Sequence, residues 1–362
     1  MQEQATFGQG VTLGEGHTPM VRSRSIGPSI GLDNLYFKLE SFNPTGSYKD
    51  RFAAAAVSDL VSEKATVCLG CSSGNTGAAL AAYSAAVGLR CILAIVESAP
   101  EAKLRQMQIY GATLVRVRQF GIDAATTRTV ADGLVRLAAG LGTQVQISAF
   151  CYAPIGMAGV QVIACEIADS EIAIEHVFSP AGGGGLTLAV ARGFDSTHLS
   201  PAVHCVQPEG NDTIATPLRD GHPSARAVEC TTAISGLQVA NVMDGHDTLS
   251  ACRKSGGTGY SVSDEFVFEV QSRMAREEGI SCEPAGAVAM AGAIRAAEKG
   301  EVTSDSSIVC LVTGSGFKDK VSQVRMTESS GEGQGADLSG DCVSVDSFGA
   351  FENVVHETLS RR

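Results

Sequence analysis

The sequence predicts an α/β protein made of parallel βαβ units arranged in two series. Short apolar runs alternate with helical stretches along most of the chain, and glycine- or hydroxyl-rich turns join them. At 362 residues the chain is long enough for two domains that share an interface.

The elements follow in order. Residues 14–19 form a glycine-rich opening, followed by strand-like runs at 20–24 and 35–39. The stretch 41–51 contains Pro44 and Gly46, which are turn residues, and Ser47, placed to cap a helix. The alanine-rich run 52–61 reads as that helix, which puts Lys49 in its first turn. A strand at 65–69 runs into the turn 70–77, and a helix follows at 78–87. Strands at 91–96, 113–117 and 144–148 then alternate with helices at 102–110 and 124–139. The second series begins near Ile155, with a helix at 159–168 and a strand at 176–179. Gly182, Gly183, Gly184 and Gly185 come next, then a helix at 186–192 and a strand at 202–207. Residues 208–259 are rich in polar and turn residues and show no clear periodicity. A helix at 264–278, a second opening at Glu283-Pro284 and ending near Glu298, and a strand at 308–312 complete the series. Residues 327–340 read as a flexible linker. Phe348, Phe351, Val354, Val355 and Leu359 share one helical face, so a terminal helix is expected to dock on the body or on a partner subunit.

Composition removes several function classes. A net charge of −12 argues against binding nucleic acid or an anionic membrane surface. No apolar run is long enough to span a bilayer, and residues 1–10 lack a signal-peptide pattern, so the cytoplasm is the expected location. Eleven scattered cysteines fit reduced, buried thiols. Cys68 and Cys71 form a lone C-x-x-C with no second pair, so no metal site is expected. The histidines, His17, His176 and His246 among them, show no pairing in sequence and are assigned structural roles.

Three stretches carry chemistry. An ammonium in a helix's first turn is disfavoured by the helix dipole, and desolvation adds to the penalty; a neutral Lys49 amine suits imine-forming chemistry. The tetraglycine between a strand and a helix has the form of a phosphate cradle, in which backbone N–H groups approach an anion closely. It is neither a P-loop nor a dinucleotide turn. Ser72, Ser73, Gly74, Asn75 and Thr76 make a second strand-to-helix turn, suited to a carboxylate or equally to capping the helix.

Together these stretches resemble the fold-type II pyridoxal-phosphate (PLP) enzymes, over roughly residues 12–321 and with four motifs in the family's order. The resemblance implies two open, twisted, mostly parallel sheets with flanking helices and PLP in the interdomain cleft. It implies a large domain of residues 1–39 and 153–326, a small mobile domain of 40–152, and a linker with a C-terminal helix at 327–362. It also implies Lys49 as the Schiff-base lysine and catalytic base, Ser72 to Thr76 as the substrate-carboxylate loop, and Asn75 beside the cofactor's phenolic oxygen. Gly182 to Gly185 would hold the cofactor phosphate, and the Thr313 hydroxyl would face the pyridine nitrogen. A hydroxyl there does not force that nitrogen to be protonated, which makes the ring a weaker electron sink and favours elimination. Within the family the chain is most similar to threonine synthases, through Gly14-Glu15-Gly16-His17-Thr18-Pro19, Gln207-Pro208-Glu209-Gly210 and Thr313-Gly314-Ser315-Gly316-Phe317-Lys318-Asp319. That similarity implies a homodimer converting O-phosphohomoserine to threonine and phosphate. The tetraglycine is more like the serine/threonine dehydratases, and cysteate synthase shares much of the frame. Arg51 and Lys103 are the candidate cations for a substrate phosphate, and Glu283 is a candidate for the cofactor's edge.

Overall fold

The computed structural model describes residues 10–97, 99, 101–121, 123–239, 241–328 and 344–360. The chain divides into two units, one ending at Lys318 and the other beginning at Asp319. The first holds both sheets. The second contains helices Lys320–Glu328 and Phe348–Ser360. Most of the expected linker lies outside the described residues.

Among the described residues, ten strands form the two sheets: β1 Met20–Arg22, β2 Leu35–Leu39, β3 Val67–Cys71, β4 Arg90–Ile95, β5 Thr113–Arg116, β6 Val145–Gln146, β7 His176–Pro180, β8 Ala202–Pro208, β9 Gly259–Val262 and β10 Ile308–Val312. The four-stranded sheet has the order β5-β4-β3-β6 and is parallel throughout. The six-stranded sheet has the order β1-β2-β10-β7-β8-β9, and only the β1–β2 pair is antiparallel. Both sheets are buried by helices, which is why their central strands read as apolar runs: β10 is buried at all five positions.

Burial also explains where the expected elements shift. Helix Lys49–Ser62 starts at Lys49 itself, with Tyr48 as N-cap, and the buried Ser47 hydroxyl makes no capping bond. The expected helix at 159–168 is two helices, Pro154–Val160 and Val162–Ala168, meeting at Gln161. The first packs on Lys49–Ser62 through glycines. A Cβ on Gly156 would lie 2.5 Å from the Phe52 ring, and one on Gly159 would lie 2.5 Å from the Arg51 carbonyl oxygen. Residues 208–259 hold two helices, Ala215–Arg219 and Gly245–Lys254, and lead into β9. β9 fits beside β8 because Gly259 carries no side chain; a Cβ there would overlap the Ala215 carbonyl.

The C-x-x-C is divided between environments: Cys68 is fully buried and paired in register with Cys91, whereas Cys71 ends β3 half-buried. His204 stacks on Phe178, accepts the Thr258 N–H through Nδ1, and is held neutral by burial, its pKa lowered to about 3. Its Nε2 lies 3.0 Å from His176 Nδ1.

Candidate active site

The site collects at the C-terminal ends of parallel strands from both sheets, where the loops of open α/β sheets converge. The Lys49 segment is tied to the end of β10. Tyr48 N–H donates to the Thr313 carbonyl at 3.0 Å, Ser315 N–H donates to the Gly46 carbonyl at 2.9 Å, and Ser47 bridges Gly314. Residues at opposite ends of the chain are thereby held together.

Lys49 Nζ donates to Ser148 Oγ at 2.6 Å and sits 4.4 Å from the centroid of the Tyr48 ring. Ser148 Oγ lies 3.0 Å from Thr76 Oγ1, so one hydroxyl joins the amine to Thr76. Burial lowers the Lys49 pKa to about 7, against the opposing pull of Glu283 and Asp244. A pKa near 7 makes the neutral amine accessible near neutrality, with burial as the cause.

Residues Ser72 to Thr76 run from the turn after β3 into the first turn of helix Asn75–Ala86. Gly74 is that helix's N-cap; no side chain caps it and its first turn has no acid, so its N–H groups favour an anion. Ser72 Oγ accepts the Gly74 N–H at 3.2 Å, and Ser73 Oγ accepts the Val96 N–H at 3.2 Å. Asn75 Nδ2 donates to both Glu283 oxygens, at 2.9 and 3.0 Å. Thr313 Oγ1 lies 3.4 Å from Glu283 Oε1. Glu283 thus joins Asn75 and Thr313, the residues expected at opposite edges of the cofactor ring.

The tetraglycine ends β7 and opens helix Gly185–Phe194, which likewise has neither a side-chain cap nor an acid in its first turn. Gly184 adopts φ +97°, and a Cβ there would lie 2.3 Å from Thr248 Oγ1. A Cβ on Gly185 would come within 3.3 Å of the Ser148 carbonyl oxygen, which puts the cradle next to the residue that holds Lys49. Gln207 braces the cradle by donating to the Gly182 carbonyl at 3.0 Å. Asp244 is buried beside Gly185; its carboxylate accepts the Phe150 and Cys151 N–H groups at 2.7 and 3.1 Å. It straps the loop after β6 to the cradle.

Arg51 serves another purpose. It is buried and donates to both Glu40 and Glu166, while Lys38 Nζ donates to Glu166 at 2.6 Å. The side chain of Lys103 lies outside the described ones. Ser148 escaped the sequence reading; its signal was its place at the end of a strand-like run in a parallel series.

Comparison with known proteins adds to this geometry. Residues 11–314 match the family described as pyridoxal-phosphate dependent enzyme. The chain belongs to that family. It is 33% identical over 334 residues to a threonine synthase of Methanocaldococcus jannaschii, covering 88% of this chain and 79% of that protein. A threonine synthase of Methanosarcina acetivorans is 31% identical over 329 residues, with the same coverage. Among solved structures, a processed threonine deaminase isoform 2 from Solanum lycopersicum superposes with a TM-score of 0.72 at 23% identity, covering 86% of this chain and 87% of that one. Maize serine racemase superposes with a TM-score of 0.72 at 22% identity, over 86% of this chain and 91% of that one. The fold is that of the fold-type II PLP enzymes, and the cofactor is pyridoxal 5′-phosphate.

The residues present fit that cofactor. A near-neutral amine, a cradle that a Cβ at Gly184 would fill, and an uncapped helix N-terminus behind it supply what an aldehyde and a phosphate require. Among the described residues no helix is long and apolar enough to cross a membrane.

Proposed function

We propose that the chain is a PLP-dependent lyase of threonine-synthase type, which expels a leaving group from an amino acid and, with O-phosphohomoserine, yields threonine and phosphate. The observation that carries this reading is Lys49: an amine near neutrality whose Ser148 partner reaches both the carboxylate loop and the tetraglycine. The threonine synthase relatives support the choice of substrate.

When bound, PLP supplies an aldehyde that condenses with amines and a ring that accepts the electron pair left at Cα. Gly182 to Gly185 and the N-terminus of helix Gly185–Phe194 would hold its phosphate. Asn75 would bond its phenolic oxygen and Thr313 would face its ring nitrogen. Ser72, Ser73, Gly74, Asn75 and Thr76, with the first-turn N–H groups of helix Asn75–Ala86, would bind the substrate carboxylate. Lys49 Nζ would take the proton from Cα and return protons later in the cycle, with Ser148 fixing the amine's direction. Residues 40–152 form, in this reading, a small domain that closes over the cleft and excludes water until it is needed.

Charge favours a second reading, dehydration of a hydroxy-amino acid. Arg51 is fully engaged by Glu40 and Glu166, and Glu283 and Asp244 place two carboxylates close enough to raise the Lys49 pKa. Such surroundings oppose a substrate phosphate dianion.

A substrate panel on PLP-loaded protein tests both readings: O-phosphohomoserine, serine, threonine and O-phosphoserine, with phosphate, keto acid and amino-acid products followed together. Threonine and phosphate from O-phosphohomoserine support the synthase. A keto acid from serine or threonine, with O-phosphohomoserine inert, replaces it with the dehydratase. No turnover of any of the four removes both.

A further inference from the structure

Three carbonyls of the tetraglycine are held from outside it. Gly182 accepts from Gln207 Nε2 at 3.0 Å, Gly183 from the Asp244 N–H at 3.2 Å, and Gly184 from the Leu188 N–H at 2.9 Å. In a planar trans peptide the C=O of one residue and the N–H of the next point in opposite directions. Each held carbonyl therefore turns the following N–H away from its holder. Among the described residues, the N–H groups of Gly183, Gly184 and Gly185 bond to no acceptor. Three successive donors are thus left for an anion, each facing away from the group that holds its peptide.

Two of the three holders are main chain. Gln207 is the exception, a side chain fully buried near the end of β8. Its Oε1 accepts the Ile214 and Ala215 N–H groups at 2.7 and 2.9 Å. Its Nε2 donates to Thr213 Oγ1 at 3.0 Å as well as to the Gly182 carbonyl. Both amide hydrogens and both carbonyl lone pairs are engaged. Turning the amide over would set its NH2 against two N–H donors and its oxygen against a carbonyl. Main chain on both sides therefore fixes which way the donor points. A buried network with every member satisfied is rigid, and the Gly182 peptide shares that rigidity.

We propose that Gln207 is a positioning residue for the cofactor phosphate: by holding the Gly182 carbonyl, it aims the Gly183 N–H at the anion. The inference rests on the proposed placement of that phosphate at Gly182 to Gly185. The competing role is purely structural. Through its oxygen Gln207 also holds the start of helix Ala215–Arg219, and a residue that did only this would leave the cradle's affinity for phosphate untouched.

The experiment compares PLP with pyridoxal, which carries a hydroxyl where PLP carries the phosphate. The full chain is stripped of cofactor, and the binding of each aldehyde is followed by absorbance at one pH near neutrality. Gln207→Met is neutral and similar in length but donates no hydrogen bond. It should weaken PLP binding by roughly 10- to 100-fold, the value of one hydrogen bond to a charged group, and leave pyridoxal binding within a few-fold of wild type. Gln207→Asn keeps the amide but withdraws it by one methylene, so a smaller loss confined to PLP is expected; it carries the test if the methionine variant does not fold. Equal losses for PLP and pyridoxal would make Gln207 a structural residue and overturn the inference. So would PLP affinity unchanged in both variants. Gly184→Ala, whose Cβ would lie 2.3 Å from Thr248 Oγ1, tests the placement itself and should abolish the preference for PLP over pyridoxal. A preference that survives Gly184→Ala overturns the site reading, and the inference with it.

Discussion

Lys49 and Arg51 stand two residues apart in the first turn of one helix, and their surroundings treat them in opposite ways. Arg51 is buried against Glu40 and Glu166, with N–O distances of 2.6 to 2.9 Å, and its already high pKa is pushed higher still by those partners despite burial. Lys49 touches a serine hydroxyl and an aromatic face, and burial lowers its pKa to about 7. Arg51 is buried and Lys49 half-buried, and of the two only Arg51 has a carboxylate in contact. A buried charge with partners stays charged and serves structure, while a cation without an ion-pair partner can lose its proton and serve chemistry. Glu166 shows the other half of the rule: burial alone would raise its pKa, but bonds from Arg51 and then Lys38 hold it at about 2.

The largest effect is expected where the unpaired cation is removed. Lys49→Ala takes away the proposed base, and loss of general acid–base help alone lowers turnover by roughly 10²–10⁴-fold. The cofactor should also become removable by dialysis, and borohydride should no longer fix it on the peptide that spans residue 49. Mass spectrometry of the reduced digest reads this directly. Cofactor still trapped in the alanine variant would assign the role to another lysine.

Arg51→Met should act on stability instead. It leaves Glu40 and Glu166 buried without their main partner, and breaking a buried pair from one side costs about 3–5 kcal/mol. A urea titration should show that loss, while turnover of the folded fraction stays within a few-fold of wild type. Adding Glu40→Gln should recover part of the stability, because one of the orphaned charges is then gone. A variant that unfolds normally but fails to turn over would break the comparison and move Arg51 into the chemistry.

This contrast also marks what was legible in the sequence. The tetraglycine, Lys49 and the Ser72–Thr76 stretch stood out because each sits in or beside a turn between periodic segments, and local chemistry sets such turns. The order of the strands in the six-stranded sheet follows from parallel βαβ logic once β10 is seen to pair with both β2 and β7. Partners brought together by the fold were hidden. Glu166 meets Arg51 from 115 residues away, and Ser148 meets Lys49 from 99 residues away. Neither has a local pattern that names its partner. β9 was lost in the turn-rich stretch because four residues opening on a glycine carry no period; its place depends on a close approach to Ala215 that only the folded chain creates. Ser47 looked like a cap because its residue type favours one, but the pairing of this segment with Gly314 and Ser315 sets the helix start at Lys49.

The smallest effect, and the sharpest use of the comparison, is the pH dependence of the Lys49 amine. A folded pKa of about 7 lies well below the ordinary lysine value, so the neutral form grows as pH rises and levels off above neutrality. From about pH 6 to about pH 8 the neutral fraction should rise about tenfold, whereas an ordinary lysine would rise about a hundredfold over the same interval from a far smaller start. Competitive acetylation of the cofactor-stripped chain, read peptide by peptide, measures both curves at once, with an added unstructured lysine peptide as the internal standard. Glu283 is one of the two carboxylates that raise the Lys49 pKa against burial. Glu283→Gln should therefore move the midpoint down, making the amine neutral at lower pH. A midpoint that rose in this variant, or a Lys49 curve parallel to that of the lysine peptide, would show that burial does not govern the amine, and the contrast with Arg51 would need another cause.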